Sequence, residues 1–92
     1  MMTPTSAPRR NARVVARNLN GTTILLHLDT GQFYELEAVG ARIWELCDGH
    51  RSLAEVVALL AEEYDAPLDT IHADTRELLA DLDRERLVDL GQ

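Results

Sequence analysis

The chain has little of what catalysis, export or membrane insertion usually require. Cys47 is the single cysteine in 92 residues, so no disulfide can close within the chain. No apolar run approaches the roughly 18 residues of a membrane-spanning helix, and no signal-type apolar region is present. The chain therefore reads as soluble and cytoplasmic, with no membrane partner. His27, His50 and His72 are scattered, without ligand spacing and without a companion cysteine, which leaves no zinc-type site. No glycine-rich phosphate loop occurs, and Gly31, Gly40 and Gly49 read as turn or helix-end residues. Cys47 falls on an apolar stripe, where a small buried hydrophobe is the plain interpretation. The carboxylates lie at exposed helical positions and form no acid–base pair. The chain is read as a non-enzyme that needs no metal or cofactor.

Acid is missing from one end. Residues 1–28 carry Arg9, Arg10, Arg13 and Arg17 and no Asp or Glu, whereas residues 29–92 hold all sixteen acids against five arginines. The overall charge is −7, and the acidic part should repel phosphate and attract basic segments. A solvated acidic surface is the plainer account of the same charges. Ninety-two residues suit one small domain with a thin core, burying about 60% of its unfolded surface. Residues 1–11, MMTPTSAPRRN, are expected to be a disordered tail, and residues 12–92 a single domain.

Strand signals come first. Residues 12–17 place Val14 and Ala16 on one face, and Asn20-Gly21 is a turn pair tolerant of positive φ. Residues 22–28 alternate, with Ile24, Leu26 and Leu28 opposite Thr23, Leu25 and His27. Asp29-Thr30-Gly31-Gln32 turns the chain into residues 33–36, where Tyr34 and Leu36 share a face opposite Phe33 and Glu35. Three antiparallel strands in sequence make a meander whose third strand lies at an edge.

The period then becomes helical. Val39, Ile43, Leu46 and Cys47 form a stripe flanked by Trp44, and Asp48-Gly49 stops that helix. Ser52 and Glu55 form a capping box for a second helix with Leu53, Val56, Val57, Leu60 and Tyr64 on one face. Ala66-Pro67 ends it. A third helix is expected from Asp69, as N-cap, to Arg86, with Ile71, Thr75, Leu78, Leu79 and Leu82 inward. Leu87–Leu90 could close the fold as a turn or short strand. The fold class is α+β, a winged helix-turn-helix-like arrangement of a three-stranded antiparallel sheet followed by three helices.

In a DNA-binding protein of that shape the third helix reads the major groove. Here it holds Asp69, Asp74, Glu77, Asp81, Asp83 and Glu85 against three arginines, the wrong sign for phosphate. A winged-helix regulator is thus the weaker alternative, and no nucleic-acid partner is expected. An edge strand beside an amphipathic helix offers another use: an extended peptide could pair with residues 33–36. Leu78 and Leu82 would floor a groove, with Asp74, Glu77, Asp81 or Glu85 meeting basic side chains. Ordinary core leucines and solvated acids would give the same pattern.

The ordered runs LDTGQFYELEAVGARIWELCDG, RSLAEVVALLAEEYDAP and IHADTRELLADLDRERLV resemble the PqqD-like family of peptide-binding proteins, over roughly residues 12–90. That resemblance implies a stand-alone recognition element for ribosomally made, post-translationally modified peptides. Such a protein binds the leader segment of a precursor peptide as an added strand, clamped by the third helix, and does no chemistry itself. Carried onto this chain, the peptide-binding residues would be Phe33, Tyr34, Glu35, Leu36, Asp74, Glu77, Leu78, Asp81 and Leu82. Which flank of the third helix faces the sheet edge stays open. The implied partners are a precursor leader and a leader peptidase, a transglutaminase-like cysteine protease, or another modifying enzyme.

The family has a pyrroloquinoline quinone branch and a lasso-peptide branch. Quinone-branch members usually carry Pro-Glu near the start of the third strand, where this chain has Thr30-Gly31-Gln32. It also has Glu37-Ala38 where many relatives carry Asn and a small residue. Glu37 is expected to favour the helix N-terminus electrostatically instead. The resemblance thus points to the lasso-type branch, with a pyrroloquinoline quinone precursor-peptide chaperone as the alternative.

Overall fold

The computed structural model describes residues 3–90. Its sheet is the expected meander of three antiparallel strands, β2 (Val14–Leu19), β3 (Thr22–His27) and β4 (Phe33–Glu37), in that order. Asn20 (φ 54°) and Gly21 (φ 86°) turn β2 into β3, the two positive angles that a tight hairpin requires. Register pairs Val15 with Leu26 and Leu26 with Phe33 on the outer face, and Ala16 with Leu25 and Leu25 with Tyr34 on the inner one. Burial on β3 alternates accordingly, with Thr23, Leu25 and His27 inside. An α+β fold results, three helices following the sheet.

The helices are α1 (Val39–Leu46), α2 (Leu53–Tyr64) and α3 (Leu68–Arg84). The core gathers Leu25 and Leu36 from the sheet, Ile43, Trp44, Leu46 and Cys47, then Leu53, Val56, Val57 and Leu60, and Ile71, Leu79 and Leu82. Each fully buried Leu or Ile contributes about 1.5–3 kcal/mol of transfer free energy. The capping box forms as read: Ser52 Oγ accepts from the Glu55 N–H at 3.1 Å, and Glu55 Oε1 accepts from the Ser52 N–H at 2.9 Å. Among the described residues, no helix is long and apolar enough to cross a membrane.

Three local readings are corrected. Helix α3 starts one residue before Asp69, with Pro67 at the cap position and no side-chain cap. Proline presets the φ that a helix start needs, and Asp69 serves within the first turn, where an acid suits the dipole. Glu37 does not lean on α1; its carboxylate accepts from the Thr22 hydroxyl across the sheet at 3.3 Å, and Ala38 enters the helix at φ 50°. The third concerns the tail.

From residue 3 onward the expected tail is ordered against the helices; Met1 and Met2 lie outside the described residues. Ser6 is buried. The Leu53 and Ala54 N–H groups donate to the Ser6 and Pro4 carbonyls at 2.8 and 3.1 Å, so the segment satisfies donors that the start of α2 would leave unmade. At the other end of α1, the Arg10 guanidinium donates to the Trp44 and Glu45 carbonyls at 3.1 and 2.7 Å. A short strand, β1 (Arg9–Arg10), pairs antiparallel with β5 (Val88–Asp89), the closing strand that residues 87–90 hinted at.

Candidate functional site

Among the described residues, strand β4 has β3 on one side and no strand on the other. Which backbone groups face that open side follows from the hairpin. The His27 N–H donates to the Gln32 carbonyl at 3.0 Å, while Leu28 donates to Arg13 at 2.9 Å on the other side of β3. Hydrogen-bonded pairs therefore alternate along β3–β4 as Leu25 with Tyr34 and Thr23 with Leu36. The N–H and C=O groups of Phe33, Glu35 and Glu37 are left to point outwards, a ready template for one more strand. Gly31, at φ 75°, makes the turn that fixes this phase.

Alongside that edge runs α3, antiparallel to β4. A Cβ placed on Gly40 would meet Leu78 at 3.6 Å and Leu36 at 3.7 Å, so the middle of α3 lies against the Glu37 end of the strand. Farther along, Glu85 lies against Tyr34, at the Phe33 end. Between strand and helix is a groove of about 390 Å³ lined by Tyr34, Glu35, Leu36, Leu78, Asp81, Leu82, Arg84 and Glu85. Leu78, Asp81, Leu82 and Glu85 are spaced as one face of a helix, and this is the flank of α3 that the sequence left open. Its floor is apolar, with Leu36 and Leu82 buried and Leu78 half-buried. The Arg84 guanidinium pairs with Asp81 one turn back.

Six of the nine expected residues thus come together: Tyr34, Glu35, Leu36, Leu78, Asp81 and Leu82. Phe33 points to the outer face of the sheet, 68% exposed, and reaches the edge only through its backbone. Asp74 and Glu77 are exposed on α3 but do not line the groove. Arg84 went unread because it falls on an exposed flank. Glu85, read from the sequence as one of the acids that could flank the groove but not among the nine, lines it one residue past the end of α3. The Tyr34 hydroxyl donates to Gln32 Oε1 at 3.2 Å, and the nearby Glu85 carboxylate, with partial burial, raises its pKa above the ordinary tyrosine value.

Among the described residues, no group of three His, Cys, Asp or Glu side chains could hold a metal. Burial pushes the Cys47 thiol up to about 12, and its hydrogen goes to the Ile43 carbonyl at 3.1 Å, the state of an inert core thiol. His27 is buried, its Nδ1 accepting from the Asp29 N–H at 3.1 Å while Nε2 has no partner among the described residues. Thr75 Oγ1 is likewise unpartnered. Neither side chain lines the groove. What the arrangement can do is hold an extended chain by its backbone and take alternate side chains between β4 and α3.

Comparison with known proteins follows the same line. Residues 22–88 match the family described as "Coenzyme PQQ synthesis protein D (PqqD)". A curated relative, the "PqqA binding protein" of Xanthomonas oryzae pv. oryzae (strain PXO99A), is 41% identical over 56 residues, 61% of this chain. The match spans 61% of that relative's length as well. Among solved structures, TbiB1 in complex with the TbiA(beta) leader peptide is 32% identical, with a TM-score of 0.81 over 88% of this chain and 94% of that one. Lasso peptide synthetase B1 complexed with its leader peptide shares the fold at 24% identity and a TM-score of 0.78, over 91% and 99% of the two chains.

Proposed function

Since this chain belongs to the PqqD family, we propose that it binds the leader segment of a ribosomally made precursor peptide as a fourth strand on β4. It then presents that leader to a leader peptidase or another modifying enzyme, without chemistry of its own. The observation that carries this reading is the open β4 edge lying beside the groove under α3. Main-chain hydrogen bonds to Phe33, Glu35 and Glu37 supply affinity that tolerates sequence change. The apolar floor of Leu36, Leu78 and Leu82 supplies selection. A dissociation constant of about a micromolar, roughly −8 kcal/mol, would suffice for delivery.

Within the family the lasso-type branch is favoured. Its support is Thr30-Gly31-Gln32 just before β4, together with the fold shared with lasso peptide synthetase B1. The 41% identity to a PqqA binding protein supports the second reading, a chaperone for a quinone precursor peptide. A winged-helix regulator is disfavoured by the acids of α3, the helix that would have to approach phosphate.

The test is a selection of displayed random 20-residue peptides on the immobilised chain, followed by fluorescence anisotropy of the winners. Leader-like binding predicts saturable peptides displaced by the TbiA(beta) leader and not by duplex DNA. Selection of no peptide, or displacement by DNA alone, would overturn the reading.

A further inference from the structure

The groove's two ends differ in charge. Toward the Glu37 end its wall is Leu78 over Leu36. Toward the Phe33 end the wall is the last turn of α3, where Glu85 is the C-cap residue and its N–H donates to the Asp81 and Asp83 carbonyls. A helix C-terminus carries about half a negative charge, so acids there oppose the dipole. The sequence nonetheless puts Asp81, Asp83 and Glu85 at that end, with Arg84 as the one base of the last turn. Asp81 is matched by Arg84. Glu85 meets the neutral Tyr34 hydroxyl, and among the described residues no cation forms an ion pair with it. A local rule of helix stability is broken at the groove wall, where broken rules tend to mark function.

We propose that Glu85 is the specificity-determining residue of this groove, and that the accepted peptide carries a Lys or Arg two positions from its apolar anchor. The inference rests on the leader-binding reading and names the sequence class of the leader. The spacing comes from the strand itself. Tyr34 and Leu36 face the groove two residues apart, and side chains i and i+2 of an added strand are separated by the same interval of about 7 Å. One fills the Leu36–Leu78–Leu82 floor. The other reaches Tyr34, where the Glu85 carboxylate accepts from the ammonium or guanidinium group and the phenol ring offers its face to the cation.

The peptide selection is run in parallel on the parent, Glu85→Gln, Glu85→Arg and Leu78→Asp, with folding checked by thermal melting. Glu85 lies at a helix end outside the core, so its variants should melt no lower than the parent. The parent pool is expected to carry Lys or Arg two positions from an apolar residue. The Glu85→Arg pool is expected to carry Asp or Glu there. Individual basic peptides should bind Glu85→Gln about three- to tenfold more weakly, with a shallower salt dependence. Identical pools on the parent and both Glu85 variants would overturn the role of Glu85 and leave leader binding standing. An empty parent pool, or a pool that binds folded Leu78→Asp as well as the parent, would overturn both.

Discussion

The sheet has two open edges, and they are not alike. Strand β2 presents outward backbone groups at Ala16 and Asn18, by the same alternation that exposes Phe33, Glu35 and Glu37 on β4, while the Val14 N–H is taken by the Asn11 carbonyl at 3.1 Å. Beyond Val14 the β2 side chains are exposed, and its charge is basic, from Arg17 and the neighbouring Arg13. Strand β4 has α3 beside it, an apolar floor and acidic walls. An open edge gives any extended chain a set of sequence-blind hydrogen bonds, each worth only about 0.5–1.5 kcal/mol against water. The rest of the affinity, and the choice of partner, come from apolar side chains leaving water against a second wall. On that argument β4 is the proposed binding site and β2 is only an edge.

The comparison breaks most readily at Leu78. Leu78→Asp puts a charge on the groove floor and should weaken peptide binding at least thirtyfold, about 2 kcal/mol. Val15→Asp, beside the β2 edge, should leave binding unchanged, both read by anisotropy. A backbone pair sharpens the point. Proline has no N–H, so Glu35→Pro deletes an outward donor of β4 while sparing the β3–β4 ladder. It should cost roughly tenfold in affinity, one hydrogen bond with its neighbours disturbed. Ala16→Pro makes the same change on β2 and should cost nothing in binding.

Two smaller effects separate stability from binding. Ser52→Ala removes the α2 cap and should lower unfolding free energy by about 1 kcal/mol in urea, with peptide affinity unchanged because α2 is remote from the groove. Acid should act in the same way. The carboxyls of Asp48, held by the His50 and Arg51 N–H groups, and of Glu55, held by Ser52, have lowered pKa values. A lowered folded-state pKa gives stability that is present above the ordinary carboxylate value and lost as pH falls through the folded value. The melting temperature should therefore decline below about pH 4, and Asp48→Asn should flatten part of that decline.

The strands, the three helices and the capping box were legible because each is a local signal: alternation on β3, Asn20-Gly21 at the hairpin, Ser52 with Glu55 at the start of α2. The ordering of residues 3–10 was not legible. Its cause is long-range: Ser6 and Pro4 complete the start of α2, and Arg10 completes the end of α1, contacts invisible in a Pro- and Ser-rich composition. The site was half-legible for a related reason. Periodicity puts Leu78 and Leu82 on one face of α3, but only the approach of α3 to β4 selects Glu85 over Asp74 and Glu77. Strand alternation likewise predicts that Phe33 and Glu35 share a face, and the fold then turns the Phe33 ring away from the groove.

Backbone pairing at β4 is tested most directly by amide hydrogen exchange, residue by residue, with and without a selected peptide. The account predicts slowed exchange at Phe33, Glu35 and Glu37 on saturation, with Ala16 and Asn18 exchanging as before. Saturable binding that protects the β2 amides, or leaves those of β4 unprotected, would contradict it.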